Sequence, residues 1–342
     1  MKILFAPHEI GGQMQIMAEE LRRRGYFATA ATYTQEWYGH VSDIHLSTNR
    51  VKSKLRKHLR VILFSLWAAS NYDIFHFFWG KSLYGFDFLP HLDLSLLRRL
   101  NKKIIVHFRG TDVIDIAYFD YLNGMLLGEN LTEPPISRPE QLKSLNKWRR
   151  YADHLLISWP GLFRVIPEAT VVPQAIDLDY WQPSRPHPLS HEDGIIRIAH
   201  APSRRRTKGT KFVIKAVSDL QQHGYPVELV LIENMPYDRV KSIYERCDIG
   251  IDQLLYGWYG KVSVELMALG RPVICYIDKQ WLGPYPSLPI VNADHQSLTH
   301  RIDELVINAN LRQSLGKEGR SFVSKHHAVK VIIDQWLNIT QG

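Results

Sequence analysis

Residues 257–276, GWYGKVSVELMALGRPVICY, decide how this chain is read. Two glycines bracket a short loop, and the residues from about Gly260 to Leu269 read as a helix. Gly270 stops it, and Pro272 to Ile277 read as a strand. The unpaired N–H groups at the start of such a helix attract anions. Lys261 falls in the first turn, where the helix dipole disfavours a cation, so its presence implies a bound anion. Glu265 follows about one turn later, placed to accept hydrogen bonds from sugar hydroxyls. A plain βα turn with a surface glutamate has the same spacing.

The residues before this stretch alternate in the same way. Ile195 to Ala199, Val227 to Ile232 and Ile249 to Asp252 read as strands. Val213, Ala216, Val217 and Leu220 mark one helix face, and Val240, Ile243, Tyr244 and Cys247 another. A similar series opens the chain. Ile3 to Ala6 leads through Gly11-Gly12 into a helix marked by Met14, Met17, Ala18 and Leu21. Arg22-Arg23-Arg24-Gly25 stops that helix, and Tyr26 to Tyr33 completes a βαβ unit. Continuous apolar runs at Ile74 to Phe78 and Ile104 to Phe108 have the pattern of strands covered on both faces. Leu155 to Ile157 and Thr170 to Val172 are shorter strands. Residues 130–142 hold three prolines and read as a loop, and the polar stretch from Asp177 to Gly194 reads as a linker. Val329 to Leu337 reads as an amphipathic helix.

The 342 residues suit two domains. Hydrophobic residues at 45% and charged residues at 22% exclude a wholly disordered or collagen-like chain. Two cysteines, Cys247 and Cys275, make neither a disulfide framework nor a four-ligand zinc site, and suit a reducing cytosol. The net charge of +8 admits nucleic acid, an anionic membrane or a phosphorylated substrate as partner. The apolar start is too short for a signal peptide, and the run Val61 to Ala69 falls far short of the roughly 20 residues that span a bilayer. A soluble, cytoplasmic chain is expected, with a peripheral membrane contact as an option.

A second motif, HAPSRRRTKG, runs from His200 to Gly209 between a strand and a helix, where α/β domains bind ligands. Its four cations in five positions suit a diphosphate, with arginine binding in a bidentate manner and lysine as a point charge. A solvated basic loop has the same composition.

These two motifs, with VPQAIDLDYWQP at 172–183, resemble the GT-B glycosyltransferases, in particular glycosyltransferase family 4. The Gly11-Gly12 loop and His107-Phe108-Arg109-Gly110-Thr111-Asp112 also fit that family's first domain, so the resemblance spans nearly the whole chain. It implies an α/β GT-B fold, two Rossmann-like domains facing each other across a cleft. The expected division is an acceptor domain at 1–182, a nucleotide-sugar domain at 183–325, and a helix at 326–342 crossing back to the first domain. It implies a hexosyltransferase moving a sugar from a nucleotide-diphosphate sugar, UDP-linked, to a glycan or lipid-linked acceptor with retention. No cofactor and no metal are expected beyond the co-substrate. Arg205 and Lys208 would hold the donor pyrophosphate with Gly12, Gly260, Lys261 and Val262. Glu265 would bind the nucleotide ribose, and His107 would line the donor sugar and acceptor as the catalytic candidate. The first glutamate of the family's E-x7-E motif is absent, its place taken by Gly257.

In this reading the departing diphosphate is stabilised by Arg205, Lys208 and the amides of residues 260–262, an electrostatic role aimed at the transition state. Asp177-Leu178-Asp179 spells the D-x-D metal motif of a different transferase fold and reads as a by-product of the linker entry. His8, His107 and His200 all sit at strand ends, and each also fits a buried, hydrogen-bonded histidine. Residues 50–60 hold six Lys/Arg and no acid, and Val61 to Trp67 adds an apolar face. Such a basic amphipathic helix suits contact with an anionic membrane through 50–67, and equally a solvated helix packed on the core. No nucleic acid is expected as partner. The alternatives are a nucleotide-sugar epimerase or phosphorylase of the same fold, or a non-enzymatic nucleotide-sugar or nucleic-acid binder.

Overall fold

The computed structural model describes residues 1–34, 41–84, 91–110, 112, 113, 115, 124, 138–184, 192–283 and 285–342. They form two compact units. The first takes the described residues up to Asp115, those from 138 to 175, and Val329–Gly342; the second takes Ile176–Ala328.

The first unit is built on a seven-stranded parallel sheet. Its strands are β1 (Lys2–Ala6), β2 (Phe27–Thr32), β3 (Ile44–His45), β4 (Ile74–Phe78), β5 (Lys103–Phe108), β6 (His154–Ile157) and β7 (Thr170–Val171), in the order β3-β2-β1-β4-β5-β6-β7. Successive side chains point to opposite faces, so each strand feeds two cores. Ile3, Phe5, Ile74 and Phe78 join Met14, Met17 and Leu21 of helix α1 (Gln13–Arg23). Leu4, Phe75 and Phe77 join the other core, with Phe64 and Ala68 of α2 (Lys54–Asn71), Leu94 and Leu97 of α3 (Leu92–Arg99), and Leu145 and Trp148 of α4 (Arg138–Tyr151). This two-sided burial is why the strands read as unbroken apolar runs.

The expected loop at 130–142 is corrected in part. Residues 130–137 lie outside the described residues, but α4 already starts at Arg138. Pro139 is tolerated in a first helical turn, where its missing N–H has no intrahelical partner. Burial of Leu145 and Trp148 then holds the helix.

The second unit has a five-stranded parallel sheet of β8 (Ile196–His200), β9 (Val227–Leu231), β10 (Ile249–Ile251), β11 (Val273–Cys275) and β12 (Val291–Asn292), ordered β12-β11-β10-β8-β9. Ile249 and Ile251 face a core with α6 (Thr210–Gln222) and α9 (Leu298–Ile307). Between them Gly250 faces the other way, and a Cβ there would collide with Leu266 of α8 (Lys261–Ala268). The helical turn α5 (Arg205–Lys208) and α7 (Tyr237–Tyr244) stand near the strand ends, and α10 (Ala309–His326) packs on α8. The stretch read as a linker is mostly exposed where it is described, but it is anchored at two points. Trp181 is buried against Tyr237 and Tyr244, and Glu245 accepts from the N–H and hydroxyl of Ser184 at 2.9 and 2.8 Å. No helix among the described residues is long and apolar enough to cross a membrane.

The last helix, α11 (Val329–Gln341), belongs to the first unit. Its Trp336 is fully buried, and the indole Nε1–H donates to His76 Nδ1 at 2.8 Å. Gln335 donates to the Val171 carbonyl at 2.6 Å, and Arg24 to Asp334 at 2.5 Å. Trp336→Ala therefore removes a fully buried aromatic ring and strands an imidazole nitrogen; a loss of about 3–5 kcal/mol is expected, read by urea unfolding.

Burial holds His76 and His107 well below the ordinary histidine range, and His8 and His91 are both pushed down to about 4. These rings stay neutral in the folded chain while the unfolded chain takes up protons below pH 6.5. The contribution of these histidines is thus complete above pH 6.5 and falls as the pH drops toward 4, by up to about 1.4 kcal/mol per pH unit for each neutral histidine. Unfolding free energies measured at pH 7, 6 and 5 check this, and a flat profile contradicts it.

Candidate functional site

At the strand ends of the second unit, one carboxylate gathers two of the residues that the motifs single out, Lys208 and Gly260. Asp252 follows β10 and is buried. It accepts from the Gly260 N–H at 2.6 Å and the Ser263 hydroxyl at 2.7 Å, and pairs with Lys208 Nζ at 3.3 Å. Lys208 also donates to Gln253 Oε1, and its ammonium lies 5.8 Å from the Tyr256 ring centre. The close fit of the loop is visible at Gly260, where a Cβ would come within 3.0 Å of Asp252 Oδ2. The start of α8 therefore carries a protein carboxylate at the point where an anion is expected. Val262 follows in the first turn of α8, half-buried.

Glu265 lies one turn into α8, 3% exposed. The Tyr237 hydroxyl donates to its Oε1 at 2.5 Å, and Lys261 Nζ approaches the same atom at 3.3 Å. Burial pushes the Glu265 carboxyl up, and Lys261 and the Tyr237 hydroxyl pull against it. Lys261 Nζ also sits 3.9 Å from the Tyr237 ring centre. This corrects the inference drawn from Lys261. Its unfavourable place in the helix dipole is offset by Glu265 four residues on and by the aromatic face, so the cation does not require an external anion.

The basic loop folds into α5 and turns at Gly209, whose φ of 77° is in the left-handed region that glycine adopts freely. Arg205 is exposed and forms a bidentate pair with Glu233 at 2.5 and 2.8 Å. Arg204 is exposed beside it. His200 is fully buried between the Ile251 carbonyl and the Thr210 hydroxyl, each at 2.9 Å, a structural position. Gly257, which replaces the motif's first glutamate, has φ 71° and accepts at its carbonyl from the Asp278 N–H at 2.8 Å. A glutamate there would need the same left-handed backbone, at a cost of about 1–2 kcal/mol.

The first unit repeats the helix-end arrangement. Gly12 has φ 76° and leads into α1. The Glu9 carboxylate, 1% exposed, takes the N–H groups of Ile10, Met14 and Gln15 at 2.7, 3.2 and 3.1 Å. The amides beyond Gly12 thus already serve an internal carboxylate. His107 is the last but one residue of β5 and is fully buried rather than presented at a surface. Its Nε2 lies 2.9 Å from the Val172 carbonyl, which only accepts, and 3.3 Å from an Arg109 guanidinium nitrogen, which only donates. Burial and the nearby Arg109 guanidinium keep the ring neutral. Asp112 accepts from the Arg109 and Gly110 N–H groups at 3.1 and 2.7 Å, and burial pushes its carboxyl up to about 6. Thr111 lies outside the described residues.

In the second unit the structure thus brings Lys208 and Gly260 onto Asp252 and Lys261 onto Glu265, and leaves Arg205 on Glu233; it places Gly12 and His107 in the first. Asp252, Tyr237, Ser263 and Glu9 were missed by sequence reasoning. Only Asp252 and Glu9 carried a signal, as acids just after a strand and ahead of a glycine loop. In the D-x-D stretch, Asp177 accepts from the backbone of Asp179 at 2.9 Å, a turn.

No protein-family model matches the chain, and no curated protein does. Solved structures do. The chain is similar to a sucrose-phosphate synthase from Thermosynechococcus elongatus at 15% identity and TM-score 0.68, over 100% of this chain and 98% of that one. It is similar to an alpha-glucosyltransferase solved with UDP and a 13-mer DNA at 11% identity and TM-score 0.62, over 100% of each. The lipopolysaccharide outer core galactosyltransferase WaaB matches at 11% identity and TM-score 0.55, over 99% of each. At these identities the likeness establishes architecture. The chain has the α/β fold of the GT-B glycosyltransferases, with two Rossmann-like units.

Proposed function

We propose that the chain is a glycosyltransferase that moves a hexose from a nucleoside-diphosphate sugar, UDP-linked, to a glycan or lipid-linked acceptor, with retention and without a metal. The observation that carries this reading is the convergence of Lys208 Nζ, the Gly260 N–H and the Ser263 hydroxyl on one carboxylate. Three donors from three segments aimed at one anionic group make an anion-binding point, at the strand ends where α/β units bind ligands. Asp252 fills that point in the free protein. A diphosphate arriving there competes with Asp252 for the same donors, with Arg205 at the rim.

The chemistry follows from the charges. As the bond from the anomeric carbon to the diphosphate oxygen breaks, the pair of electrons leaves with the oxygen and positive character grows on the sugar. Lys208, Arg205 and the first amides of α8 stabilise the departing charge. Glu265 accepts from the ribose hydroxyls, its carboxylate oriented by Tyr237 and Lys261. His107, neutral and enclosed, acts on this reading by shaping the strand end. The left-handed Gly257 supports keeping a second reading, an epimerase or phosphorylase on the same donor site, since no side chain at that position reaches the sugar. A cytoplasmic protein peripheral to the membrane belongs to the same proposal, in keeping with two buried free cysteines.

Thermal unfolding with UDP, GDP and ADP and their sugars tests the donor site. One nucleotide family is expected to raise the midpoint. Lys208→Ala is expected to weaken that ligand by about 1.5–3 kcal/mol, the range for a hydrogen bond to a charged group. No shift with any nucleotide overturns the reading. A product assay with the stabilising nucleotide-sugar then separates transfer from epimerisation.

The pH dependence has a definite sign. Nucleotide affinity is expected to fall as the pH drops through the raised Glu265 value, because a protonated carboxyl loses an acceptor for the ribose. Tyr237→Phe removes a hydrogen bond that lowers that value, so its acid limb should move to higher pH. Titrations of wild type and Tyr237→Phe between pH 5 and 8 check this; a limb that stays put places the ribose elsewhere.

A further inference from the structure

Helix α2 carries two apolar faces, and the fold uses one. Val61, Phe64, Ala68 and Ala69 are buried against the first unit's sheet. On the opposite side Leu55, Leu59, Leu63 and Leu66 follow one another at spacings of three and four. They are 77, 53, 57 and 50% exposed, with Trp67 46% exposed at the end of the stripe. Four leucines in line on an outer helix face are not the scattered apolar residues of an ordinary surface. The helix has no Asp or Glu along its length, and residues 50–60 add six Lys/Arg. Arg56 and Arg60, one turn apart and exposed, flank Leu59.

We propose that this outer face of α2 docks in the plane of an anionic membrane. The leucine stripe and Trp67 would enter the boundary between headgroups and acyl chains, and the cations of 50–60 would meet anionic headgroups. The inference rests on the peripheral-membrane part of the proposed function and names the face and the lipid class. Charge decides the occupant. A second copy of the same face would set six cations against six, whereas an anionic lipid surface complements both the charge and the apolar stripe. Nucleic acid would satisfy the cations and leave the leucines in water. Tryptophan at the edge of such a stripe is the residue that favours the interfacial zone. A lipid-linked acceptor would then reach the enzyme in the plane of that surface.

Sedimentation of the full chain with phosphatidylcholine vesicles, with and without phosphatidylglycerol, tests this. Binding is expected to the mixed vesicles, at least about tenfold weaker to phosphatidylcholine alone and weaker in high salt. Leu63→Ser and Leu66→Ser should each weaken it about tenfold, the effect of withdrawing one leucine from apolar surroundings. Arg56→Glu with Arg60→Glu should do so at least as strongly. Trp67 emission should shift to the blue on binding. These positions are exposed, so thermal unfolding and its response to nucleotide should match the wild type in every variant. Failure to bind mixed vesicles, or binding that Leu63→Ser leaves intact, overturns the inference. Self-association abolished by Leu63→Ser in the absence of lipid overturns it in favour of a second copy, and lipid-independent nucleic-acid binding lost in the arginine variant overturns it in favour of nucleic acid. The nucleotide response measured on the same samples reports on the donor site separately, so the two readings fail independently.

Discussion

The Asp252 carboxylate is the contact on which the second unit's strand-end surface depends. It joins α5 through Lys208, the glycine loop through the Gly260 amide and α8 through Ser263. Each partner alone is a modest hydrogen bond, but all are drawn from low-dielectric surroundings where an unpaired charge is costly. The arrangement also keeps a lysine and the start of α8 close together. Glu9 plays the same part at the start of α1. Both units therefore solve the problem of unpaired helix amides with a buried acid placed just after a strand.

Around Glu265 the electrostatics are balanced within the helix and its neighbour. Burial raises the cost of the carboxylate, and a lysine one turn back with a tyrosine hydroxyl from α7 lowers it. The same lysine is steadied on the face of that tyrosine. A group held this way is fixed in direction. The first unit adds neutral groups to its buried carboxylates. Its buried histidines serve as hydrogen-bonding core residues, and α11 enters that core through Trp336 and His76.

Much of the architecture was legible because the period of burial is written along the chain. The runs at 74–78 and 104–108 are apolar apart from one buried histidine each because each strand is covered on both faces, and α1 shows its stripe and its glycine stop. Helix α4 was hidden by Pro139, since a proline marks a helix start as readily as a loop. The first half of the linker was hidden too, because polar neighbours conceal that Trp181 is buried.

The sequence by itself determined the alternation of strands and helices, the glycine loops and the cationic motifs, since each is a local matter of spacing and backbone freedom. Only the tertiary structure decided which charges meet. Lys261 looked like a cation awaiting an anion, although Glu265 four residues on is spaced to pair with it; its seat on Tyr237 was visible only in the fold. Asp252 lies 44 residues from Lys208, and Tyr237 lies 28 from Glu265. His107 likewise sits 65 residues from the Val172 carbonyl that its ring meets. Contacts across such separations are set by strand order and helix packing, and no local pattern encodes them.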